Sequence, residues 1–302
     1  MSTIYNIGPS WKGFSFINRL VIFGDSFSSV DYVLDYDETK PNAADPLGLP
    51  FPGSNEYGLW NEPDLPNWVG HLITKFRPGP LYTPPKPHTA GKLRDQSDEW
   101  KANPLLVYNY AKGGDTLDGV SRQVQNLFLP GLGKKPAGTP WTAEETLFIT
   151  WVGINDCASQ VRDDAMERLF DLQDRVYSTG ARNFLFINVP PIHRSPAIRI
   201  RTGEAAPQML TTWNANLRKA AQKFCSTHLN SSVFLLSSFH FFNTLLDNPT
   251  AYGFSEAEIK KRSGSFWFDH IHPTSKVHEY IASYLASFLF NIPASGWTAE
   301  LS

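Results

Sequence analysis

Residues 19–27 read RLVIFGDSF, an apolar run that ends in a Gly-Asp-Ser turn. A near-continuous apolar run of about five to eight residues is typical of a strand that is buried on both faces of a parallel sheet. The serine of the turn, Ser26, follows the carboxyl end of this strand, and open α/β sheets bind their ligands at that edge. The stretch therefore predicts a buried strand with a ligand-binding position directly after it.

Four other short runs share this apolar, β-branched and aromatic character, and segments with a helical apolar period lie between them. The four runs are residues 105–111, 146–153, 183–189 and 233–237. The helical segments are residues 65–76, 118–128, 159–177, 207–228 and 275–290. Strands that alternate with helices, joined by right-handed crossovers, build a doubly wound sheet. We therefore predict an α/β fold, a three-layer α/β/α sandwich with about five parallel strands.

Two stretches, at about residues 28–61 and 77–104, do not follow this rhythm, because they are polar or rich in proline. Loops of this length inside a compact domain usually serve as lids or binding walls, or are partly disordered. We see no internal repeat and no linker between two cores, so we predict one domain over residues 1–302 with two long insertions. Most tryptophans are expected to be core or loop anchors, but Trp60 and Trp100, within the insertions, are candidate platforms for stacking a sugar ring.

The composition argues against several classes of partner. Hydrophobic residues form 41 % of the 302 residues, and 27 basic against 29 acidic side chains leave a net charge of −2. A near-neutral chain without a basic block argues against nucleic acid or an anionic membrane as the main partner. No apolar run reaches the roughly 18 residues that a membrane-spanning helix needs. A small molecule is therefore the expected partner.

The two cysteines, Cys157 and Cys225, exclude a disulfide scaffold and a four-cysteine zinc site, and they leave one bridge between them open. Residues 1–17 contain no charged segment followed by an apolar stretch of about 7–15 residues, so they do not resemble a signal peptide. We therefore expect a cytoplasmic protein, or a secreted one if a signal segment has been removed.

The hydroxyl of Ser26 needs a base, because an alcohol is a poor nucleophile until its proton is taken. Residues 268–274 read FDHIHPT and supply one. Asp269 and His272 are three residues apart, so in a helical turn both side chains project the same way. Asp269 can then hold one ring nitrogen of His272 while the other faces Ser26. His270 and His272 also form a His-x-His pair, but no third metal ligand is apparent nearby, so no metal site is expected.

A tetrahedral oxyanion also needs preorganised hydrogen-bond donors, and the ends of two other predicted strands supply candidates. A Gly113-Gly114 pair follows the second run, where a glycine lets a backbone N–H approach a substrate closely. Asn155, whose amide is a neutral donor, follows the third run. The Ser26 N–H is the third candidate. Asp25 and Asp156 are candidate supporting residues, although Asp156 could equally cap the following helix.

These separate pieces, in this order, resemble the SGNH, or GDSL-type, hydrolase superfamily. The matching positions are Gly24-Asp25-Ser26, Gly114, Gly153-x-Asn155-Asp156 and Asp269-x-x-His272. Phe27 stands where the family usually has leucine. The segments Val189-Pro190-Pro191, Arg194-Ser195-Pro196 and Trp267 to Thr274 are similar to fungal and plant members that include acetylesterases and lipase-like acylhydrolases. The resemblance runs from about Arg19 to the last helix and is nearest to the fungal acetylesterase branch.

The resemblance implies a role for each matching residue. It makes Ser26 the nucleophile, His272 the base and Asp269 the residue that orients His272. It makes the Ser26 N–H, the Gly114 N–H and the Asn155 side chain the oxyanion hole, and it favours Gly114 over Gly113. It also implies a flavodoxin-like sheet and no metal or organic cofactor.

The expected activity is that of a serine ester hydrolase. It would cleave a small acyl ester, most simply an acetyl ester, of a carbohydrate or a related metabolite through a covalent acyl-enzyme. One alternative is an acyltransferase that moves the acyl group to another alcohol of a specialised metabolite, which a water-excluding lid would favour. Another is a non-catalytic binding protein on the same scaffold, which the intact set of motifs disfavours.

Overall fold

The computed structural model describes residues 1–32, 40–54, 58–85, 96–159, 161–197 and 205–296. Within these residues the chain forms one six-stranded sheet, in the order β1-β6-β5-β4-β2-β3. The strands are β1 (Thr3–Asn6), β2 (Arg19–Gly24), β3 (Leu106–Asn109), β4 (Thr146–Trp151), β5 (Asn183–Ile187) and β6 (Ser232–Leu236). Strands β2 to β6 are parallel, which confirms the predicted sandwich. The edge strand β1, which the sequence reading missed, pairs antiparallel with β6.

Helices cover both sides of this sheet. Across the described ranges they are α1 (Trp68–His71), continued by a π-helical turn to Phe76, α2 (Asp98–Ala102), α3 (Leu117–Arg122), continued by a π-helical turn to Phe128, α4 (Ile154–Ala158), α5 (Ala165–Ser178), α6 (Ala205–Thr227), α7 (Ser238–Asp247) and α8 (Ser275–Phe290). Helix α1 packs against α8, and α5 packs against both α3 and α6. In the described residues no helix is long and apolar enough to cross a membrane.

The inner strands form the centre of the core. Every residue of β4, β5 and β6 is buried, as expected for strands that helices cover on both faces. Phe148 of β4 contacts Phe128 and Phe184 through ring pairs with centroids 5.7 and 5.9 Å apart. The near-continuous apolar runs in the sequence therefore correspond to strands with no solvent-facing side.

The strand order places the ends of three strands around one crevice. The chain passes from β2 to β3 on one side of β2, then returns to form β4 on the other side. Such a reversal leaves a crevice at the carboxyl edge of a doubly wound sheet, where ligands bind. Ser26 follows β2, Gly114 follows β3 and Asn155 follows β4. The topology thus gathers three segments that are far apart in the sequence.

The observed helices differ from the predicted ones at the starts of two helices and in helices that were not predicted, which include the short α2 and α4. Helix α8 has the predicted bounds, whereas the prediction for residues 65–76 begins too early, because Asn67 caps α1 by accepting a hydrogen bond from the Val69 N–H. The prediction for residues 159–177 also begins too early. The backbone at Ser159 leaves the helical region, with φ −119° and ψ −91°, and α5 starts only at Ala165. Helix α7, capped by Ser237, was not predicted.

The insertions at 28–61 and 77–104 are partly described, since residues 33–39, 55–57 and 86–95 lie outside the described ranges. The prediction of Trp100 as an exposed platform is wrong. Its ring is fully buried, and its Nε1–H donates to the Ala43 carbonyl at 2.7 Å. Cys157 and Cys225 are both free thiols, so the bridge that the sequence left open is not formed.

Candidate active site

Ser26 lies in a tight turn that directly follows β2. The N–H groups of Ser28 and Ser29 donate to the Asp25 carbonyl at 3.0 and 3.1 Å, which closes the turn around Ser26. A side chain at Gly24 would place its Cβ 2.3 Å from the Trp151 carbonyl oxygen, so the strand can pass this close to β4 only with glycine. Ser26 itself is 5 % exposed. The turn therefore fixes the hydroxyl at the base of the crevice.

His272 joins Ser26 to Asp269 through two short hydrogen bonds. Its Nε2 is 2.8 Å from the Ser26 Oγ, and its Nδ1 is 2.7 Å from an Asp269 carboxylate oxygen. The other carboxylate oxygen of Asp269 accepts the N–H groups of Ile271 and His272, each at 2.8 Å. The structure thus brings together residues that are 246 positions apart in the chain.

The state of the carboxylate sets the direction of these bonds. Burial acts to raise the pKa of Asp269, but the hydrogen bonds from the His272 ring and from the two backbone N–H groups outweigh it and hold the pKa well below its usual range. An ionised Asp269 accepts the Nδ1–H of His272, which leaves Nε2 unprotonated in the neutral ring. In this arrangement Nε2 can accept the proton of the Ser26 hydroxyl.

The Gly114 turn and Asn155 meet on the other side of the crevice. The Asn155 Nδ2 donates to the Asp115 carbonyl at 2.9 Å, which uses one of its two amide hydrogens. Gly114 has φ +79° in a turn that the Asp115 N–H closes onto the Lys112 carbonyl at 3.2 Å. Asn155 is the second residue of α4 and follows Gly153 by two positions; Gly153 has φ +116° and lies against the Trp213 ring. The two predicted donors are therefore neighbours.

Comparison with known proteins identifies the family of this chain. The family model for GDSL-like lipase/acylhydrolase matches residues 20–285, which is most of the chain. This chain belongs to the GDSL hydrolase family. The family is one of carboxylic ester hydrolases, and the matched range of this member includes strands β3 to β6, the Gly-Asp-Ser turn and the Asp-x-x-His segment.

Individual relatives of this GDSL hydrolase support the same placement. An acetylesterase of Thermothelomyces thermophilus is 28 % identical over 295 residues, covering 88 % of this chain and 86 % of the relative. A thermolabile hemolysin of Vibrio parahaemolyticus is 27 % identical over 221 residues, covering 60 % of this chain and 51 % of the hemolysin. The crystal structure of LAE5, an alpha/beta hydrolase from the metagenome of Lake Arreo, has a TM-score of 0.52 at 17 % identity and covers 93 % of this chain and 100 % of its own. That likeness shows a shared fold.

Two carboxyl groups beside the crevice have different surroundings. Burial raises the pKa of Asp25 to about 8, even though the Phe27 N–H donates to it at 3.1 Å. The carboxyl of Asp25 is therefore protonated at neutral pH.

Asp156 accepts the N–H of Leu117, the first residue of α3, at 3.1 Å. Asp156 thus joins α4 to the start of α3.

Gln123 is a buried residue of the site that sequence reasoning missed. Its side chain accepts the Gly24 N–H at 2.9 Å and donates to the Gly24 carbonyl at 2.7 Å. The same Nε2 donates to the Asp115 carboxylate at 2.8 Å. Gln123 therefore ties the strand end before Ser26 to the turn beside Asn155. A glutamine in an amphipathic segment 99 residues away carries no local signal of this contact.

Two further observations complete the surroundings of His272. The His270 ring is 3.7 Å from Asp269 and half exposed, and no group of three or more His, Cys, Asp or Glu residues within the described ranges could hold a metal ion. The Trp60 ring lies with its centroid 4.8 Å from that of His272, at an interplanar angle of 32°. Of the two predicted platforms, Trp60 is therefore the one beside the candidate site.

Proposed function

We propose that this ester hydrolase uses Ser26 as its nucleophile, His272 as its general base and Asp269 to orient and charge-balance the imidazole. The observation that carries the proposal is the continuous pair of hydrogen bonds, 2.7 Å from Asp269 to His272 and 2.8 Å from His272 to Ser26. A hydroxyl, an imidazole and a carboxylate in this relation activate serine nucleophiles on unrelated folds.

The reaction has two steps. The Ser26 Oγ attacks the ester carbonyl carbon while its proton passes to His272 Nε2, and a tetrahedral oxyanion forms. When the oxyanion collapses, the bond to the alcohol oxygen breaks and the departing alcohol takes the proton from His272. A water molecule then attacks the acyl-Ser26 carbonyl, with His272 again accepting and returning the proton. Ser26 and a free acid are regenerated.

Three donors are proposed to hold the oxyanion. These are the N–H groups of Ser26 and Gly114 and the second amide hydrogen of Asn155. Support comes from the Asn155 bond to the Asp115 carbonyl, which fixes that amide beside the Gly114 turn. Each preorganised donor of this kind contributes about 3 kcal/mol to transition-state stabilisation.

The proposed substrate is a small acyl ester, most simply an acetyl ester, of a carbohydrate or a related metabolite. The acetylesterase relative, which matches 88 % of this chain, supports a short acyl group. The exposed Trp60 ring beside His272 supports an alcohol part with a ring.

Hydrolysis of p-nitrophenyl esters with two to twelve acyl carbons tests this function. We expect the wild type to prefer acetate and Ser26→Ala to lose at least about 1,000-fold in kcat/KM. Ser226→Ala, which changes an exposed serine on α6, is the matched control and should retain full activity. Equal rates for wild type and Ser26→Ala would overturn the proposal. A parallel assay with an added alcohol detects transfer, which would appear as a new ester at the expense of free acid.

A further inference from the structure

Trp60 is a large aromatic residue that is partly exposed beside His272. Among the tryptophans that the structure describes, six are fully buried, while Trp60 keeps 36 % of its surface accessible. His272 has a second aromatic neighbour, Phe27, at 5.9 Å between ring centroids, but Phe27 is 1 % exposed. Of these two rings, only Trp60 therefore offers surface to a ligand.

The indole is held on more than one side. Gly113 lies against it so closely that a Cβ there would be 2.4 Å from the Trp60 Nε1. The next residue, Asn61, donates to the carbonyls of Glu62 and Leu65 at 3.2 and 2.7 Å, and the Glu62 carboxylate accepts the Ser275 N–H at 2.7 Å. The chain around Trp60 is thus tied to α8, so the ring is positioned before any ligand arrives, which lowers the entropic cost of binding.

The position of His272 says which part of an ester would meet this ring. The departing alcohol oxygen must come within hydrogen-bond reach of His272 Nε2, because that nitrogen returns the proton. The alcohol part therefore leaves past His272, and Trp60 lies against His272. The carbonyl oxygen, by contrast, points toward the proposed donors at Ser26, Gly114 and Asn155.

We propose that Trp60 is the platform of the alcohol subsite and selects esters whose alcohol carries a ring with a flat face, either a pyranose or an aryl ring. This rests on the proposed function and extends it, because it assigns the alcohol specificity to one residue. Stacking on an indole face changes affinity by about two- to tenfold. The effect falls on the alcohol part of the substrate and leaves discrimination between acyl groups unchanged.

The experiment compares Trp60→Leu, which is bulky but not aromatic, with Trp60→Phe, which keeps an aromatic face. Phe290→Leu, a change at an aromatic residue that is 70 % exposed at the end of α8, is the control. KM and kcat are measured by pH-stat in two series. The first holds the acetyl group constant in ethyl acetate, phenyl acetate and a methyl glucoside 6-acetate. The second series keeps the ethyl group constant and varies the acyl group, with ethyl acetate, ethyl propionate and ethyl butyrate.

We expect Trp60→Leu to raise KM about five- to tenfold for the ring alcohols and less than about twofold for every ethyl ester. Trp60→Phe should recover most of the loss, and the ring ester with the larger loss identifies the preferred alcohol. An equal loss on all esters, or a loss that grows with acyl length, would overturn the alcohol subsite while leaving the hydrolase intact. A wild type that hydrolyses none of these esters would overturn the proposed function and this subsite with it. Thermal unfolding of both variants near the wild-type temperature establishes that they are folded.

Discussion

The Gln123 side chain bonds to both backbone polar groups of Gly24. It accepts the Gly24 N–H at 2.9 Å and donates to the Gly24 carbonyl at 2.7 Å. Gly24 stands two residues before Ser26, where the sheet ladder ends. The Gly24 N–H therefore bonds to a side chain at the point where β2 ends, while the Gly24 carbonyl also accepts the Lys112 N–H at 3.2 Å. Because Gln123 also reaches Asp115, one buried residue sets the spacing between the Ser26 turn and the Gly114 turn.

Replacing Gln123 with leucine should cost both stability and activity. It leaves the buried Gly24 N–H without its side-chain acceptor, which costs about 1–3 kcal/mol of unfolding free energy. A shift of the strand end should also lower kcat/KM by about tenfold or more, since small misplacements of reacting groups are costly. Urea denaturation and p-nitrophenyl acetate hydrolysis measure the two effects.

The matched control for this change is Gln125→Leu, because Gln125 is exposed on the same helical segment and donates to the nearby Ser121 hydroxyl at 3.0 Å. We expect it to stay within about 0.5 kcal/mol of the wild type. Similar losses of stability and activity in the two variants would argue against the role of the hydrogen bonds between Gln123 and Gly24.

Asp269→Asn should fold but lose most activity. The amide that replaces the carboxylate no longer fixes the Nδ1–H tautomer of His272, so Nε2 no longer faces Ser26 as an acceptor. We expect kcat to fall by about 1,000- to 10,000-fold with little change in KM. Asp247→Asn, at an exposed carboxylate that pairs with Arg194 at 2.7 Å, is the control. Retention of a tenth of the wild-type kcat in Asp269→Asn would contradict the role of Asp269.

Asp25 should make stability depend on pH. Its pKa is raised to about 8 by burial, so between pH 4 and pH 8 the native state binds a proton that the unfolded chain has released. The free energy of unfolding then falls as pH rises through this window, by up to about 1.4 kcal/mol per pH unit from this group, and it levels off above pH 8.

Asp25→Asn removes that slope, because an amide resembles the neutral acid and does not titrate. We expect the difference in unfolding free energy, Asp25→Asn minus wild type, to increase steadily from pH 5 to pH 8. Urea denaturation at each pH measures it. Asp98→Asn, at a fully exposed side chain, should follow the wild type in parallel. A constant difference between Asp25→Asn and the wild type across this range would show that Asp25 is ionised in the native state.

Two glycines with positive φ should respond differently to alanine. Gly114 and Gly153 both lie in the left-handed region, but a Cβ at Gly114 meets nothing within 4 Å, whereas one at Gly153 would be 2.3 Å from the Trp213 ring. Gly114→Ala should cost about 1–2 kcal/mol from backbone strain alone. Gly153→Ala should cost about 1–3 kcal/mol more, because a buried tryptophan must move. Equal melting temperatures for the two variants would contradict this account.

The parts of the fold that depend on continuous local patterns could be predicted from the sequence. The apolar runs predicted strands β2 to β6, and the period of α8 predicted its bounds, since burial on one or both faces imposes those patterns directly. β1 was missed because a four-residue edge strand is too short for an alternation to be recognised. The start of α5 was predicted too early because Val161 extends the apolar stripe of the helix toward the amino terminus.

The residues of the candidate site that belong to a recognisable sequence motif could be predicted. Residues that come into contact only when the chain folds could not. Ser26, Asp269 and His272 stand out because their types and spacing suit proton transfer, and the structure places them within hydrogen-bond distance of one another. Gln123 gave no such signal, since its partner Gly24 lies 99 residues earlier. Trp60 and Trp100 were indistinguishable in the sequence, because which indole is buried depends on how the insertions fold.

Covalent labelling can show directly whether Ser26 is the nucleophile. The enzyme is treated with diethyl p-nitrophenyl phosphate, which phosphorylates activated serines and releases p-nitrophenol, and the modified peptide is located by mass spectrometry. The account predicts one diethylphosphoryl group per chain, on Ser26, with activity lost in proportion and labelling much slower in His272→Ala. Inactivation with the label on another residue, or full activity after Ser26 is labelled, would contradict it.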